Sequence, residues 1–316
     1  MIDVFCSAPW YVDHAAPVWL ALPPEARGRF HVGPRVGPVA LPGVTTDRMT
    51  PDPRRPTLVM SYGDLRSATM AGRHRLALGQ HGAGQSYSTD HPAYPGGRSQ
   101  GNVGLFLVPN EHAAARSRAA YPRARVAVVG CPKLDHLPAR EPGDGPVVAL
   151  SFHWDGPMIA PELRSSWLYY RGALPSVART FRVIGHAHPK AMGRVERHYR
   201  AAGIEVVSAV TDVLRRADVY VCDNSSSLFE FAATGRPVVV LNMPQYRRNV
   251  EHGLRFWAAA GVGVNCDVPG RLGKSIAAAI TDPPEAREAR EAAVDLVYQP
   301  RTGGAELAAR ALLDWA

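Results

Sequence analysis

The feature that most limits the fold of this chain is an alternation. Short apolar runs of strand length are separated by longer helical stretches. The runs cover residues 2–6, 57–62, 75–80, 103–109 and 125–130, then 146–152, 181–185, 204–207, 218–222 and 237–241. Several are nearly continuous, as expected of parallel strands covered on both faces. Helical stretches at 111–120, 162–179, 192–202 and 226–234 lie between them, which gives right-handed β-α-β crossovers. The pattern is α/β, with two doubly wound parallel domains. "HLPAREPGDGP", residues 136–146, collects proline, glycine and charge without a period and reads as a linker. The expected division is a first domain at 1–136, a linker at 137–146 and a second domain at 147–300. A final helix at 301–316 is expected to cross back to the first domain. Residues 23–56 hold eight prolines and read as an ordered loop or lid.

No apolar run reaches 18 residues, so no transmembrane segment is expected. Met1 to Cys6 reads as a strand rather than a signal peptide. Cys6, Cys131, Cys222 and Cys266 are far apart and form no CxxC pair. They read as reduced residues of a cytoplasmic protein, with neither zinc nor disulfides. The formal charge of +8 is uneven: residues 1–140 carry 16 Lys/Arg against 9 Asp/Glu, and the remainder 20 against 19. A basic first half suits an acidic partner, whether nucleic acid, anionic polymer or membrane surface. An arginine-rich composition alone accounts for it equally well.

Three stretches carry chemistry. In "ADVYVCDNSSSLFEFAATGRPVVVL", 217–241, a strand ends in Asp223, Asn224, Ser225, Ser226 and Ser227, and a helix follows. Ligands of open parallel sheets sit beyond the carboxyl ends of strands, where helix N-termini present free N–H groups. Residues 224–227 therefore read as a pyrophosphate cradle of short neutral donors. They also read as a helix N-cap, with Glu230 closing a capping box on Ser227, although a cap needs only one such residue. "VIGHAHPK", 183–190, ends a strand with His186, His188, Pro189 and Lys190. His188 can donate to a phosphate oxygen and Lys190 adds charge. Two surface turn histidines are the alternative, and no further ligand cluster supports a metal pair. "LGQHGAGQSYS", 78–88, holds His81, Gly82, Gly84 and Gln85, where glycine lets backbone approach a ligand.

The order and spacing of these motifs resemble the donor-binding half of GT-B nucleotide-activated transferases, above all the CDP-glycerol glycerophosphotransferases and related glycosyltransferases. The likeness rests on the His188-Pro189 pair, on Asp223, Ser225 and Ser226 as an Asp-x-Ser-Ser loop, and on Gly235 and Pro237 after its helix. Gly130 and Pro132 match a Gly-x-Pro segment before the linker. The resemblance implies a GT-B-like fold, in which the two domains are Rossmann-like and face a cleft. It also implies a donor site of His188, Lys190, Asp223, Asn224, Ser225, Ser226, Ser227, Gly130 and Pro132. It makes His81, in a His-Gly pair, the general base for an acceptor hydroxyl. Gly82, Gly84 and Gln85, with Arg73 and Arg75, would face the acceptor. The loop departs from the family in having Ala83-Gly84-Gln85-Ser86 where a Thr-Pro sequence is usual, which leaves the acceptor open. Asp64, His14 and Asp13 are weaker candidates for the base or its orienting partner.

No DxD sequence occurs. The leaving group is then expected to be stabilised without metal, by hydroxyls, helix N-termini and basic side chains such as Arg236, Arg247 and Arg248. No cofactor is implied, only a nucleotide-sugar or CDP-polyol donor as substrate. Two anionic acceptors fit the basic domain. One is a surface polyol or glycan polymer. The other is DNA with a hydroxylated or hydroxymethylated base, gripped through its phosphates beside Tyr62, Tyr87 and Tyr94. A non-hydrolysing sugar-nucleotide epimerase shares the two-domain form but calls for more carboxylates around the loops. A non-catalytic nucleotide-sugar binding protein ranks last.

Overall fold

The computed structural model describes residues 1–34, 36–37, 46–47, 51–65, 75–83, 102–156, 161–223, 225–246 and 261–316. Two compact units result: residues 1–136 with 297–316, and residues 137–296. In chain order the described elements begin β1 (Ile2–Cys6), α1 (Pro9–Ala21), β2 (Arg27–Val32), β3 (Thr46–Asp47), β4 (Thr57–Val59) and α2 (Tyr62–Leu65). They continue with β5 (Leu76–Gly79), β6 (Val103–Val108), α3 (Glu111–Ala120), β7 (Arg125–Val128), β8 (Val147–Phe152) and α4 (Trp167–Tyr170). Next come α5 (Leu174–Thr180), β9 (Arg182–Ala187), α6 (Pro189–Ala201), β10 (Glu205–Val206), α7 (Val210–Arg216) and β11 (Val219–Cys222). The last are α8 (Ser227–Ala232), β12 (Val238–Leu241), β13 (Val264–Cys266), α9 (Leu272–Thr281), α10 (Pro284–Val297) and α11 (Gly304–Trp315).

The first unit holds a seven-stranded sheet in the order β3-β2-β1-β4-β5-β6-β7, and the second a six-stranded sheet in the order β10-β9-β8-β11-β12-β13. Every pairing is parallel. These are the two doubly wound units that the alternation implies. The central strands β1, β5, β8, β11 and β12 are buried along their whole length, which is why they read as unbroken apolar runs. α11 buries Ala308, Ala309 and Leu312 in the core of the first unit, together with Val12, Ala16 and Trp19 of α1. Its first turn is held by Asp135, whose carboxylate accepts from the N–H groups of Gly304 and Ala305. Among the described residues no helix is long and apolar enough to cross a membrane. All four cysteines are buried and free.

Three sequence expectations change. Residues 23–56, read as a loop or lid, contain β2 and β3 at the edge of the first sheet. Only the second half of β2, Phe30 to Val32, is buried, so "RGRFHV" never shows a continuous apolar run. Residues 162–179 are not one helix. Single 3₁₀ turns at Pro161–Leu163 and Arg171–Ala173 flank α4, and α5 starts afresh with proline in its first turn. β13 was not anticipated; it is three residues long and only Cys266 in it is buried.

In each sheet the connection direction reverses at one place, between β1 and β4 and between β8 and β11. Crevices open beyond the carboxyl ends of such strand pairs.

Asn110 fixes the approach to the first of these places. Its Oδ1 caps α3 by accepting from Ala113 N at 2.9 Å. Its Nδ2 donates to the carbonyls of Ala83 at 3.2 Å and Val297 at 2.8 Å. It is fully buried, so Asn110→Ala removes a cap and orphans two carbonyls. The expected cost is about 2–3 kcal/mol, read as a lower urea midpoint at constant m-value. Asn110→Asp keeps the cap acceptor but sets a buried carboxylate oxygen against both carbonyls, and should cost at least as much.

Candidate functional site

At the reversal in the second unit, β11 ends in Asp223, a fully buried carboxylate. It accepts from His153 N at 2.7 Å, Ser166 N at 2.8 Å, Ser166 Oγ at 3.2 Å and Ser165 Oγ at 3.4 Å. Asp223 thus ties the segment after β8 and the 165–166 turn to the end of β11. It holds that segment against the end of the strand.

The three serines divide their work. Ser227 Oγ is 2.8 Å from both the buried Tyr220 hydroxyl and Ser225 Oγ, so it points back toward the sheet. Ser225 Oγ also accepts, at 3.4 Å, from Ser227 N. Ser226 occupies the N-cap position of α8, but its side chain makes no cap bond. A simple capping role therefore does not describe Ser226. Ser225 and Ser226 are half-buried at the carboxyl edge of the sheet.

His188 caps α6: its Nδ1 accepts from Lys190 N at 3.1 Å. An acceptor Nδ1 places the ring proton on Nε2, so His188 offers an N–H donor on its other side. The Lys190 ammonium lies 4.8 Å from the centroid of the Trp154 ring, a cation–π contact. His186 is buried and its Nδ1 pairs with Ser151 Oγ at 2.9 Å. No group of three His, Cys, Asp or Glu side chains that could hold a metal occurs among the described residues.

In the first unit, His81 follows β5 beside the end of β4. Its Nδ1 lies 2.5 Å from the Met60 carbonyl oxygen, which can only accept, so Nδ1 carries the proton and Nε2 is the basic nitrogen. The ring is exposed and stands edge-on to Tyr11 at 4.8 Å and to His14 at 6.1 Å, both on α1. Gly82 has φ +89°, a conformation that a side chain strains. Asp64, on α2, is fully buried and accepts from Ser7 N at 3.2 Å. Burial pushes its carboxyl up, against hydrogen bonds from Ser7 and Ser61.

Of the other expected site residues, Gly130 and Pro132 belong to the first unit, as their place before the linker implies, and pack against the chain entering α11. A Cβ on Gly130 would fall 2.1 Å from the Pro300 oxygen, and one on Gly304 3.2 Å from Pro132 N. The lack of a side chain at Gly130 and Gly304 allows that close backbone approach. Arg75 stands at the start of β5, the opposite end from His81, and donates to the Ala316 carbonyl at 2.6 Å. Arg236 precedes β12, donates to the carbonyls of Leu214 and Ala217, and stacks on Phe231. It is at the amino edge of the sheet, away from the serines. Gly84, Gln85, Arg73, Tyr87, Tyr94, Asn224, Arg247 and Arg248 lie outside the described residues.

Sequence reasoning passed over His153. The ring is 94% buried at the end of β8, with Nδ1 3.0 Å from the Trp154 carbonyl oxygen. Burial, opposed by that bond and aided by Lys190, pushes its pKa down to about 4. The only available signal was its place immediately after an unbroken apolar strand.

With this geometry in hand, comparisons with solved structures are informative about the fold. The wall teichoic acid polymerase TagF, in a variant soaked with CDPG, superposes with a TM-score of 0.67 at 12% identity, covering 99% of this chain and 89% of that one. UDP-GlcNAc 2-epimerase from Neisseria meningitidis bound to UDP-GlcNAc gives 0.58 at 11% identity, covering 99% of both chains. A putative UDP-N-acetylglucosamine 2-epimerase from Listeria monocytogenes gives 0.58 at 14%, covering 99% of this chain and 94% of that one. The chain has the GT-B-type α/β fold shared by these proteins. No protein-family model matches it, and no curated protein matches it.

The buried neutral His153 makes stability depend on pH. Above its unfolded pKa of 6.5 the ring is neutral in both states. As pH falls from there towards about 4, the unfolded chain gains a proton that the folded chain refuses, so stability is lost across that window. Between about pH 7 and pH 5 the loss is about 2 kcal/mol. His153→Gln is expected to remove this component, seen as a smaller change in urea midpoint between the two pH values. An unchanged pH dependence in the variant would assign the loss to other groups.

Proposed function

We propose that the chain is a GT-B-type transferase that moves a sugar or polyol phosphate from a nucleotide diphosphate donor to a hydroxyl acceptor. The observation that carries this reading is the His81 tautomer. Donation from Nδ1 to the Met60 carbonyl leaves Nε2 as the basic nitrogen of an exposed imidazole at a strand-end crevice. An imidazole titrating near neutrality suits removal of a hydroxyl proton. In the second unit, the His188 Nε2–H and the hydroxyls of Ser225 and Ser226 are neutral donors at the carboxyl edge of the sheet, with the Lys190 cation close by. Such preorganised donors suit the charge that grows on a diphosphate as its bond breaks.

In this reading His81 Nε2 takes the acceptor proton as the acceptor oxygen attacks. Attack at an anomeric carbon releases a nucleoside diphosphate. Attack at the β-phosphorus releases a nucleoside monophosphate. The proton is carried by the imidazolium and lost to solvent after release. The fold likeness to a polymerase soaked with CDPG supports a donor of the nucleotide-activated class. The match to an epimerase over 99% of both chains keeps a second reading, epimerisation of a nucleotide sugar with no acceptor.

A thermal-shift panel of CDP-glycerol and of UDP-, GDP- and TDP-sugars tests the donor site, because a ligand of the folded state raises its apparent stability. One nucleotide class is expected to stabilise the protein. Combined Ser225→Ala and Ser226→Ala should weaken that donor by about tenfold. His81→Ala should leave donor affinity unchanged and lower turnover by about a hundredfold or more. Stabilisation by none of the donors overturns the reading. Epimerisation of a UDP-sugar without acceptor selects the second one.

A further inference from the structure

The second unit holds a pocket of about 130 Å³ that shares no lining residue with the serine loop. It lies beyond β8, between the 153–155 segment, the 165–168 turn and the first two turns of α6. For scale, a dry cavity of about 150 Å³ accepts a benzene ring. This pocket therefore has room for a group of single-ring size.

Its walls differ in chemistry. One is aromatic and apolar, made by Trp154, Trp167 and Leu168. Leu168 is 57% exposed, a large apolar side chain left open to water. The other wall is one face of α6, where Lys190 and Arg194 stand one turn apart. Among the described residues Arg194 has no hydrogen-bond or ion-pair partner, and the Lys190 ammonium has only the face of Trp154. The carboxylate in the lining, Asp155, is already neutralised: Arg164 Nε donates to it at 2.7 Å and Ser165 N at 3.2 Å. The field of the pocket is therefore positive.

A second, independent observation points to a ligand. His153 lines the pocket, is 94% buried, and uses Nδ1 on the Trp154 carbonyl. Its Nε2 has no hydrogen-bond partner among the described residues and is not among their buried unsatisfied atoms, so solvent reaches it in the pocket. A bound hydroxyl can take the place of that water. Nε2 carries the lone pair, so it accepts.

The geometry points to a binding site for a compact hydroxylated anion, a phosphate or carboxylate carried on a short polyol or a single sugar ring. The anion sits between Lys190 and Arg194, the C–H face packs on Trp154, and a hydroxyl donates to His153 Nε2. Two sources share this chemistry: the group carried by the donor, or a separate small anion bound alongside it. The proposal concerns binding: in the first case Lys190 serves the same donor as the serine loop and the proposal rests on the transferase reading, and in the second case it does not.

The test follows the indole N–H resonance of Trp154, assigned with Trp154→Phe, in the full-length protein. Glycerol 3-phosphate and glucuronate are the anionic probes, and glycerol and glucose their neutral counterparts. At least one anion is expected to shift the resonance saturably, with the neutral molecules much weaker. Lys190→Gln and Arg194→Gln, both at exposed positions, should each weaken the anion by about tenfold. Combined Ser225→Ala and Ser226→Ala should leave it unchanged. Absence of a saturable shift, or a shift equal in both charge variants and the wild type, overturns the proposal. Competition between the anion and a nucleotide-linked donor assigns the pocket to the donor's own group. Simultaneous saturation assigns it to a separate anion. Because the readout is Trp154, a pocket that binds while no turnover is found refutes the transferase reading alone.

Discussion

The constraint on which both units depend is what to do with backbone at the reversal of a doubly wound sheet. Connections leave the two central strands in opposite directions there, so the N–H groups just past the first strand lose their ladder neighbours. Both units answer with a fully buried aspartate. Asp64 takes Ser7 N after β1, and Asp223 takes His153 N after β8. A buried carboxylate is costly unless several donors surround it. Asp223 has four from the 153–166 segment, and Asp64 has bonds from Ser7 and Ser61. Without these carboxylates the crevices would have no fixed walls.

Beside these carboxylates stand the strand-end histidines, and local backbone decides the tautomer of each. His81 faces a carbonyl, which forces the proton onto Nδ1 and basicity onto Nε2. His188 faces the N–H of Lys190, which forces the reverse. Two imidazoles of the same intrinsic chemistry become a proton acceptor in one unit and a hydrogen-bond donor in the other. Nothing in the spacing of "LGQHGAG" or "GHAHPK" distinguishes them. The difference lies in which backbone atom stands beside Nδ1: for His81 the Met60 carbonyl past the neighbouring strand, for His188 the N–H two residues on in its own helix cap.

This marks how far the sequence could be read. β1, β8, β11 and β12 were legible because burial on both faces demands apolar residues at every position. β2 was not, since half of it is open to water and Gly28 in it is kept small by Asp3, whose carboxylate oxygen would lie 2.1 Å from a Cβ. The serine loop was legible as a strand-to-helix turn at the carboxyl edge of a sheet, but the division of labour within it was not. Ser227 is committed to Tyr220, a contact between a strand residue and the helix after it. Gly130 matched a family motif and also lets the Pro300 backbone approach closely, a demand that spacing in sequence does not reveal. His153 carries no motif at all. Its character comes from burial, which a single strand-end histidine does not announce.

The same reasoning bears on the basic first half. A count of charges treats every arginine alike, but several have structural appointments. Arg27 donates to the carbonyls of Leu20 and Leu22, closing the end of α1. Arg75 and Arg125 hold the carbonyls of Ala316 and Asp314 at the end of α11. Their positive charge completes the negative end of a helix dipole, a local role that needs no partner molecule. Arg140 pairs bidentately with Asp218 and belongs to the second unit. By contrast, Lys190 and Arg194 lie in a half with almost no net charge, and they stand beside a pocket without a neutralising carboxylate. Net charge therefore points to one half of this chain, and the unspent charge found at a built pocket lies in the other.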